Sequence, residues 1–471
     1  VHRFQRLSSF SPSWRAATLA AATLLLGACQ GYTPQPLKLG PPQWTPADRV
    51  VVDPASIRLP ATVKSHRFDP SDGLDMTEVE TLAVVNNPDL RLARADLRIS
   101  RAQAFAAGLL PDPQVTLSAE HAAPPVPGLV NAFNTGIGFD LGALVTRTAR
   151  RQAADADTRK TDMALLWQEW QVASQARQLF IKQRSLMRLR AVIADMEALQ
   201  VRRVDAAQRA LDQGNLSADA IGPYLVARED WRRQLADADR QLNQARHDLA
   251  ALLGLAPDTV LDLTGPAEAP AIDEAAVSAR LAQLSSRRPD LVALQAGYAG
   301  QDERFRAAIL AQFPAITIGP TRLRDNTGVY STGFAASLNL PILSANRGNI
   351  AVESATRDKL RLEYDNRLRA AHADVDRLLS DERLLEAQWQ DAVASLPALE
   401  RTVAQAQVAL DSHQISIASF VDLQTSVAAR RIEILGLEQG AWTQRVALEA
   451  LLGEDMPLVA SSSSDTASTL P

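Results

Sequence analysis

Apolar residues return every seven positions along two stretches of this chain. Leu165, Val172, Leu179, Leu186 and Ile193 form one series, and Leu378, Leu385, Ala392, Leu399 and Ala406 form the other. A seven-residue period keeps one seam facing a partner, so both stretches predict long helices in coiled packing. Neither glycine nor proline occurs between Gly142 and Gly214. An unbroken helix over that span would measure on the order of 100 Å. Arg177, Lys182, Arg184, Arg188 and Arg190 are expected on its other faces. A return helix from about Ser217 to Leu253 is its expected cover, with Ser416 to Leu452 as the equivalent for the second series. Pro397 predicts a kink in the second long helix, and Gly222 with Pro223 marks another irregularity.

Upstream of each long helix the period drops to two. Val115, Leu117 and Ala119 alternate with Thr116, Ser118 and Glu120 between Gln114 and Ala122. Pro124, Pro125, Pro127 and Gly128 break the run, and alternation resumes from Phe133 to Leu141. The later copy gives Ala315 to Leu323, a loop at Asp325-Asn326-Thr327-Gly328, and Tyr330 to Leu340. Strands of roughly nine to eleven residues have the length of tilted transmembrane β-strands. Ordinary surface hairpins carry the same pattern, so both readings stand. Before the first hairpin, Thr77 to Glu80 predicts a capping box opening a short helix. Pro88 restarts a helix running from about Asp89 to Leu110, which Pro111 and Pro113 stop.

The chain repeats itself. Asn87-Pro88-Asp89-Leu90 matches Arg288-Pro289-Asp290-Leu291, and Phe139-Asp140-Leu141-Gly142 matches Leu338-Asn339-Leu340-Pro341. Ala251-Leu252-Leu253-Gly254 matches Ala450-Leu451-Leu452-Gly453. The matches keep their order at a displacement of about 200 residues, which exceeds solenoid periods and implies a duplicated, domain-sized half. Residues 75–265 form the first expected repeat, with its hairpin at about 114–141. Residues 266–456 form the second, with its hairpin at about 315–340.

The termini read differently. Arg3, Arg6 and Arg15 precede an uncharged run, Ala16 to Ala28, too short to span a bilayer and suited to a signal peptide over 1–28. The run ends Leu26-Gly27-Ala28-Cys29, which resembles a bacterial lipobox with Cys29 as the lipidated residue. A plain secretory signal beside a chance cysteine is the other reading. Gln30 stands where an inner-membrane retention signal would carry Asp, so the expected address is the outer membrane. Residues 29–74 are proline-rich and expected to be extended, and the serine-rich end, 457–471, is expected to be disordered.

Composition narrows the class. The 471 residues are 46% hydrophobic and 22% charged, as in ordinary folded proteins. The net charge of −5 gives no global field for nucleic acid. A mean hydropathy of −0.11 excludes a polytopic helical membrane protein. One cysteine excludes a disulfide framework and a multi-cysteine zinc site. His2, His66, His121, His247, His372 and His413 are scattered, so no metal site is expected. No phosphate loop, HExxH or GxSxG occurs, so neither an enzyme nor a cofactor is expected.

The duplicated helix–hairpin–helix layout resembles the outer membrane factor family, the TolC-like channels. The resemblance rests on the two Pro-Asp-Leu openings, on Ser337 to Arg347 leaving the second hairpin, and on the block from His413 to Leu423. It implies a mainly α fold in which long coiled helices form an α-barrel. Each protomer gives four strands to a homotrimeric 12-stranded transmembrane β-barrel. The lipobox points to the lipidated branch.

The implied function is a passive exit duct for drugs, metals or solvents. It is fed by an inner-membrane pump (RND or ABC type) through a periplasmic adaptor protein. The exit of a type I protein secretion system is the alternative, and a pore-free periplasmic scaffold lipoprotein is a third. Asp422 falls on the segment that carries acidic gate residues in the family. Ser419 stands where a second acid is common, and a solvated helix carboxylate is the competing reading of Asp422. The turns Gly214-Asn215-Leu216-Ser217 and His413-Gln414-Ile415-Ser416 are where an adaptor hairpin would dock. Gly214 suits a left-handed turn position. His413 replaces it in the second copy, so the two turns are expected to differ.

Overall fold

A computed structural model describes residues 32–37, 39–40, 66, 68–69, 72–121, 127–265 and 271–453. The signal segment 1–28, Cys29 and the tail 457–471 lie outside the described residues. The chain divides into two units, Val1–Trp44 and Thr45–Pro471. In the first, the described residues are irregular and exposed. The second holds every helix and strand among the described residues.

The first helix, α1 (Met76–Asn86), has its capping box at Asp75–Glu78, two residues earlier than the expected Thr77–Glu80. Asp75 Oδ1 accepts the Glu78 N–H at 2.8 Å, and Glu78 Oε2 accepts the Asp75 N–H at 3.0 Å. Two overlapping cap patterns compete here, and the aspartate wins because the backbone before it is held. Leu74 N–H donates to the Asp262 carbonyl at 2.8 Å, and Thr264 N–H donates to the Leu74 carbonyl at 2.9 Å. That clamp places Asp75 in the extended conformation an N-cap needs.

The first copy continues with α2 (Pro88–Gly108), β1 (Gln114–Glu120), β2 (Ala132–Asp140), α3 (Leu141–Asp212) and α4 (Ala218–Leu252). The second has α5 (Glu274–Leu281), α6 (Leu284–Arg287), α7 (Pro289–Leu310), β3 (Ala315–Arg324), β4 (Tyr330–Asn339), α8 (Arg347–Asp411) and α9 (Ile417–Leu452). The fold is mainly helical, with long helices and one four-stranded antiparallel sheet.

Helix α3 runs 72 residues without a break, about 100 Å. Its sheet-proximal part packs on α2 and α7, where Arg304 pairs with Asp157 and where Leu90 and Leu166 belong to one buried cluster. Its distal part packs on α4 and α9, where Arg190 meets Asp239 and Arg188 meets Glu438. None of its five heptad residues is exposed. Arg177, off the heptad seam as expected, is nevertheless covered: α9 crosses there, and the guanidinium is buried against Glu449. Helix α8, 65 residues, continues through Pro397, whose missing N–H leaves the Val393 carbonyl without its helical donor. The apolar core is a row of patches along the rods, and its largest fully buried side chains are Trp170, Phe180 and Phe420.

The repeated Pro-Asp-Leu motif ties each copy's return. Asn86 and Asn87 donate to the Leu253 and Leu252 carbonyls, at 2.5 and 2.9 Å, satisfying acceptors orphaned at the end of α4. In the second copy Arg287 donates to the Gly453 carbonyl at 3.2 Å, just past α9. Arg288 lies 4.7 Å over the Trp167 ring and pairs with Asp290 at 2.8 Å. Gly453 closes α9 with a φ of 70°, and a Cβ there would sit 2.5 Å from the Trp170 ring.

Candidate functional site

Two regions at opposite ends of α3 carry the chemistry, the sheet and the helix turns. The hairpins form one sheet in the order β1-β2-β3-β4, joined by a seam between β2 and β3. At that seam a Cβ on Gly319 would fall 1.6 Å from the Ile137 carbonyl oxygen, so only glycine allows the approach. The tips are linked as well, because Val130 N–H donates to the Asn326 carbonyl at 2.8 Å.

Directly paired residues share a face of an antiparallel sheet. The register therefore sorts the side chains. One face carries Val115 and Leu117 of β1, Phe133, Ile137 and Phe139 of β2, Ile316 and Ile318 of β3, and Phe334 and Leu338 of β4. The other carries Thr116, Ser118, Asn134, Gly136, Thr317, Thr321, Ser331 and Ser337. The apolar face is open: Leu117 is 74% exposed and Phe334 88%. Among the described residues, strands β1 and β4 each have a free edge. Sequence alternation located the strands but missed one inversion. At the tip end of β3, Arg322 and Arg324 fall on the apolar face while Leu323 falls on the polar one. Counting by twos from Ile316 and Ile318 finds it.

At the far end, the two helix turns prove alike, against expectation. Gly214 and His413 are both left-handed, with φ of 75° and 57°. In each turn the following N–H reaches back five residues: Asn215 to the Ala210 carbonyl at 2.8 Å, and Gln414 to the Ala409 carbonyl at 2.8 Å. These matched bonds fix the conformation, and His413 accepts the strain of a position that favours glycine. Asn215, Ser217, Gln414 and Ser416 are exposed, while Leu216 and Ile415 are half-buried. Ser217 holds the Asp219 carboxyl below its usual range through a hydrogen bond, and Ser416 accepts the Ser419 N–H at 3.1 Å to cap α9.

Asp422 lies one turn into α9 with its side chain exposed, and its backbone carbonyl accepts from the Ser426 hydroxyl at 2.8 Å. Beside it is a group that the sequence did not signal. Arg203 of α3 lies 4.9 Å over the Phe420 ring and hydrogen-bonds the Gln424 side chain. Burial pulls the Arg203 guanidinium below its ordinary range, Tyr224 opposes that, and Arg202 adds to it. Burial pushes the Tyr224 phenol up, and Arg203 offsets part of the rise.

One histidine does meet carboxylates. His66 Nε2 lies 3.2 Å from Asp75 Oδ2 and 3.8 Å from Glu78 Oε1, the one group of metal-ligand type among the described residues. Glu78 Oε1 also accepts the Asp69 N–H at 2.7 Å. The cluster therefore already works as a tie between the 66–69 segment and the start of α1. Among the described residues no helix is long and apolar enough to cross a membrane.

No family model matches the chain. It is 26% identical to the pyoverdine export outer membrane protein OpmQ of Pseudomonas aeruginosa over 420 residues, 80% of this chain and 84% of that one. It is 26% identical to the outer membrane protein OprJ of the same species over 264 residues, and 24% identical to the probable outer membrane lipoprotein SilC of Salmonella typhimurium over 237. The chain spans about half the length of these last two relatives, 51% of each. Among solved structures it superposes on CusC with a TM-score of 0.68 at 19% identity, over 88% of this chain and 99% of that one. On the outer-membrane channel OprN the TM-score is 0.70 at 17% identity, over 80% and 89%. With its duplicated hairpins, its unbroken long helices and a sequence match over 80% of its length, the chain has the fold of these outer membrane channels and is similar in sequence to outer membrane factor (TolC-like) proteins.

Proposed function

We propose that this chain is the outer membrane channel of a tripartite efflux system, a passive and non-enzymatic exit duct for small molecules. One observation carries the reading: an exposed apolar sheet face, bounded by two open edges, stands on helices about 100 Å long. In water that face is costly. In lipid the face is favourable, but the unpaired edges are not. Copies of the same chain satisfy both demands. Three copies give twelve strands, within the range of closed membrane barrels. Thr116, Ser118, Asn134 and Ser337 then line the lumen, and the helices extend the duct into the periplasm. The export named for OpmQ and the outer membrane named for all three relatives support this reading.

Energy comes from an inner-membrane pump coupled through a periplasmic adaptor. The matched turns at Gly214–Ser217 and His413–Ser416 are the surface offered to that adaptor. Cys29 carries the lipid anchor. Asp422 contributes one carboxylate of a three-membered ring at the constriction, where it selects for cations.

Planar-bilayer recording of the purified protein tests the duct. Discrete conductance from a species with the mass of three chains is expected, and an inserted species without conductance ends the reading. Asp422→Ala should reduce cation selectivity in the same recordings, and an unchanged reversal potential would remove Asp422 from the gate. Cells lacking the gene should accumulate small toxic compounds and recover when it is restored.

A further inference from the structure

Charge interrupts the apolar sheet face at one end only. The β3 register places Ile316, Ile318 and Pro320 on that face, followed by Arg322 and Arg324 at the hairpin-tip end. Tyr330 pairs directly with Arg324, and the two guanidinium carbons lie 5.3 and 5.6 Å from its ring centroid. Phe133 packs edge-on against the same ring at 6.0 Å. Among the described residues neither arginine has a carboxylate partner. The Arg324 Nε is buried and meets no acceptor. Beside this cluster lies an open surface depression of about 370 Å³, lined by Val115, Thr135, Ile137, Pro320, Arg322 and Thr332.

Two unpaired cations on a lipid-facing surface need an explanation. At the bilayer midplane each would cost about 2–4 kcal/mol, but near the interface only about 0–1. The neighbouring aromatic rings mark the interfacial level, and arginine stems reach outward from apolar surroundings. What remains is an anion for the guanidinium forks. Guanidinium matches phosphate geometry in a bidentate pair, and the adjoining depression, whose exposed surface is mainly apolar between its threonines, suits a hydrocarbon chain. Both halves of an amphiphile are thus provided for at one place.

We propose that Arg322, Arg324 and Tyr330 form a binding site for the phosphate of an outer-leaflet lipid headgroup, with an acyl chain of that lipid in the adjoining depression. The proposal rests on the apolar face meeting the membrane, as the efflux-duct reading requires. A phosphorylated glycolipid is the class that fits, because its phosphates lie at the membrane surface above several chains.

The test uses the full-length protein in phosphatidylcholine vesicles doped with bisphosphorylated lipid A or with its dephosphorylated form. Native mass spectrometry reads the retained lipid, and conductance of the same vesicles reads insertion. Wild type should retain the bisphosphorylated lipid at least about tenfold more than the Arg322→Gln/Arg324→Gln variant. The dephosphorylated lipid should not discriminate between them. The Arg322→Lys/Arg324→Lys variant keeps the charge and should fall between, which preserves the comparison if the glutamine variant does not fold. Equal retention by inserted wild type and variants overturns the site. Displacement by millimolar inorganic phosphate also overturns it, by assigning the arginines to a free anion. Wild type that fails to insert removes the membrane reading and the site together, and the conductance channel separates that failure from the others.

Discussion

Single positions decide the joints of this molecule. Gly453 closes α9 in a left-handed conformation with the Trp170 ring against its Cα, so the position forbids a side chain twice over. Gly453→Ala should lower stability by about 1–3 kcal/mol, read as a drop in thermal midpoint, with the overpacked Trp170 ring as the main cause. Gly214 announced its left-handed turn in the sequence. His413 did not, because nothing about a histidine side chain signals that conformation and the fixing bonds are all backbone. Arg177 was similarly opaque. Among several basic residues on one helix, only the path of α9 decides which is covered, and that path is a tertiary fact. Phe420 and Arg203 lie far apart in the chain and meet for the same reason.

At the scale of elements, the sheet has two unlike faces, and substitutions should respect them. Leu117→Arg, on the apolar face of β1, should cost about 2–4 kcal/mol in the bilayer and cut the yield of inserted protein. Ser118→Arg, one residue on and facing the opposite way, should insert normally and change conductance instead. The helices offer a pH test. Glu274 of α5 accepts from Arg383 Nε of α8 at 2.7 Å. That hydrogen bond, and then the guanidinium charge, hold the carboxyl below its ordinary range. A depressed carboxylate stabilises above its unfolded value, near 4.3, and loses that contribution as pH falls through the folded value. Amide protection in α5 should therefore be constant near neutrality and decline below about pH 4, and Arg383→Gln should flatten the decline. Alternation and heptads made strands and rods legible because both are local periodicities. The seam between β2 and β3 was not legible, since no local pattern says which hairpin lies beside which.

For the molecule as a whole, duplication solves a covering problem. A rod as long as α3 outruns any single neighbour, so it takes one pair near the sheet, α2 and α7, and another beyond it, α4 and α9. Two of these four come from the other copy, which is why the copies interlock. The residues at the two Pro-Asp-Leu openings serve this arrangement: Asn87 fastens the start of α2 to the end of α4, and Arg287, just before the second motif, fastens the start of α7 to the end of α9.

The seam also sets a timetable. Each hairpin closes between neighbouring residues, whereas Gly136 and Thr321 can meet only after the rest of the first copy and the opening helices of the second have emerged. Loop closure over such a distance is slow compared with local pairing. Pulse-labelled amides should gain protection within β1–β2 and β3–β4 first and across β2–β3 last, and simultaneous protection would contradict this order. During that interval the newborn chain carries two greasy ribbons with four raw borders instead of two, so any escort protein has its heaviest duty before the halves are stitched.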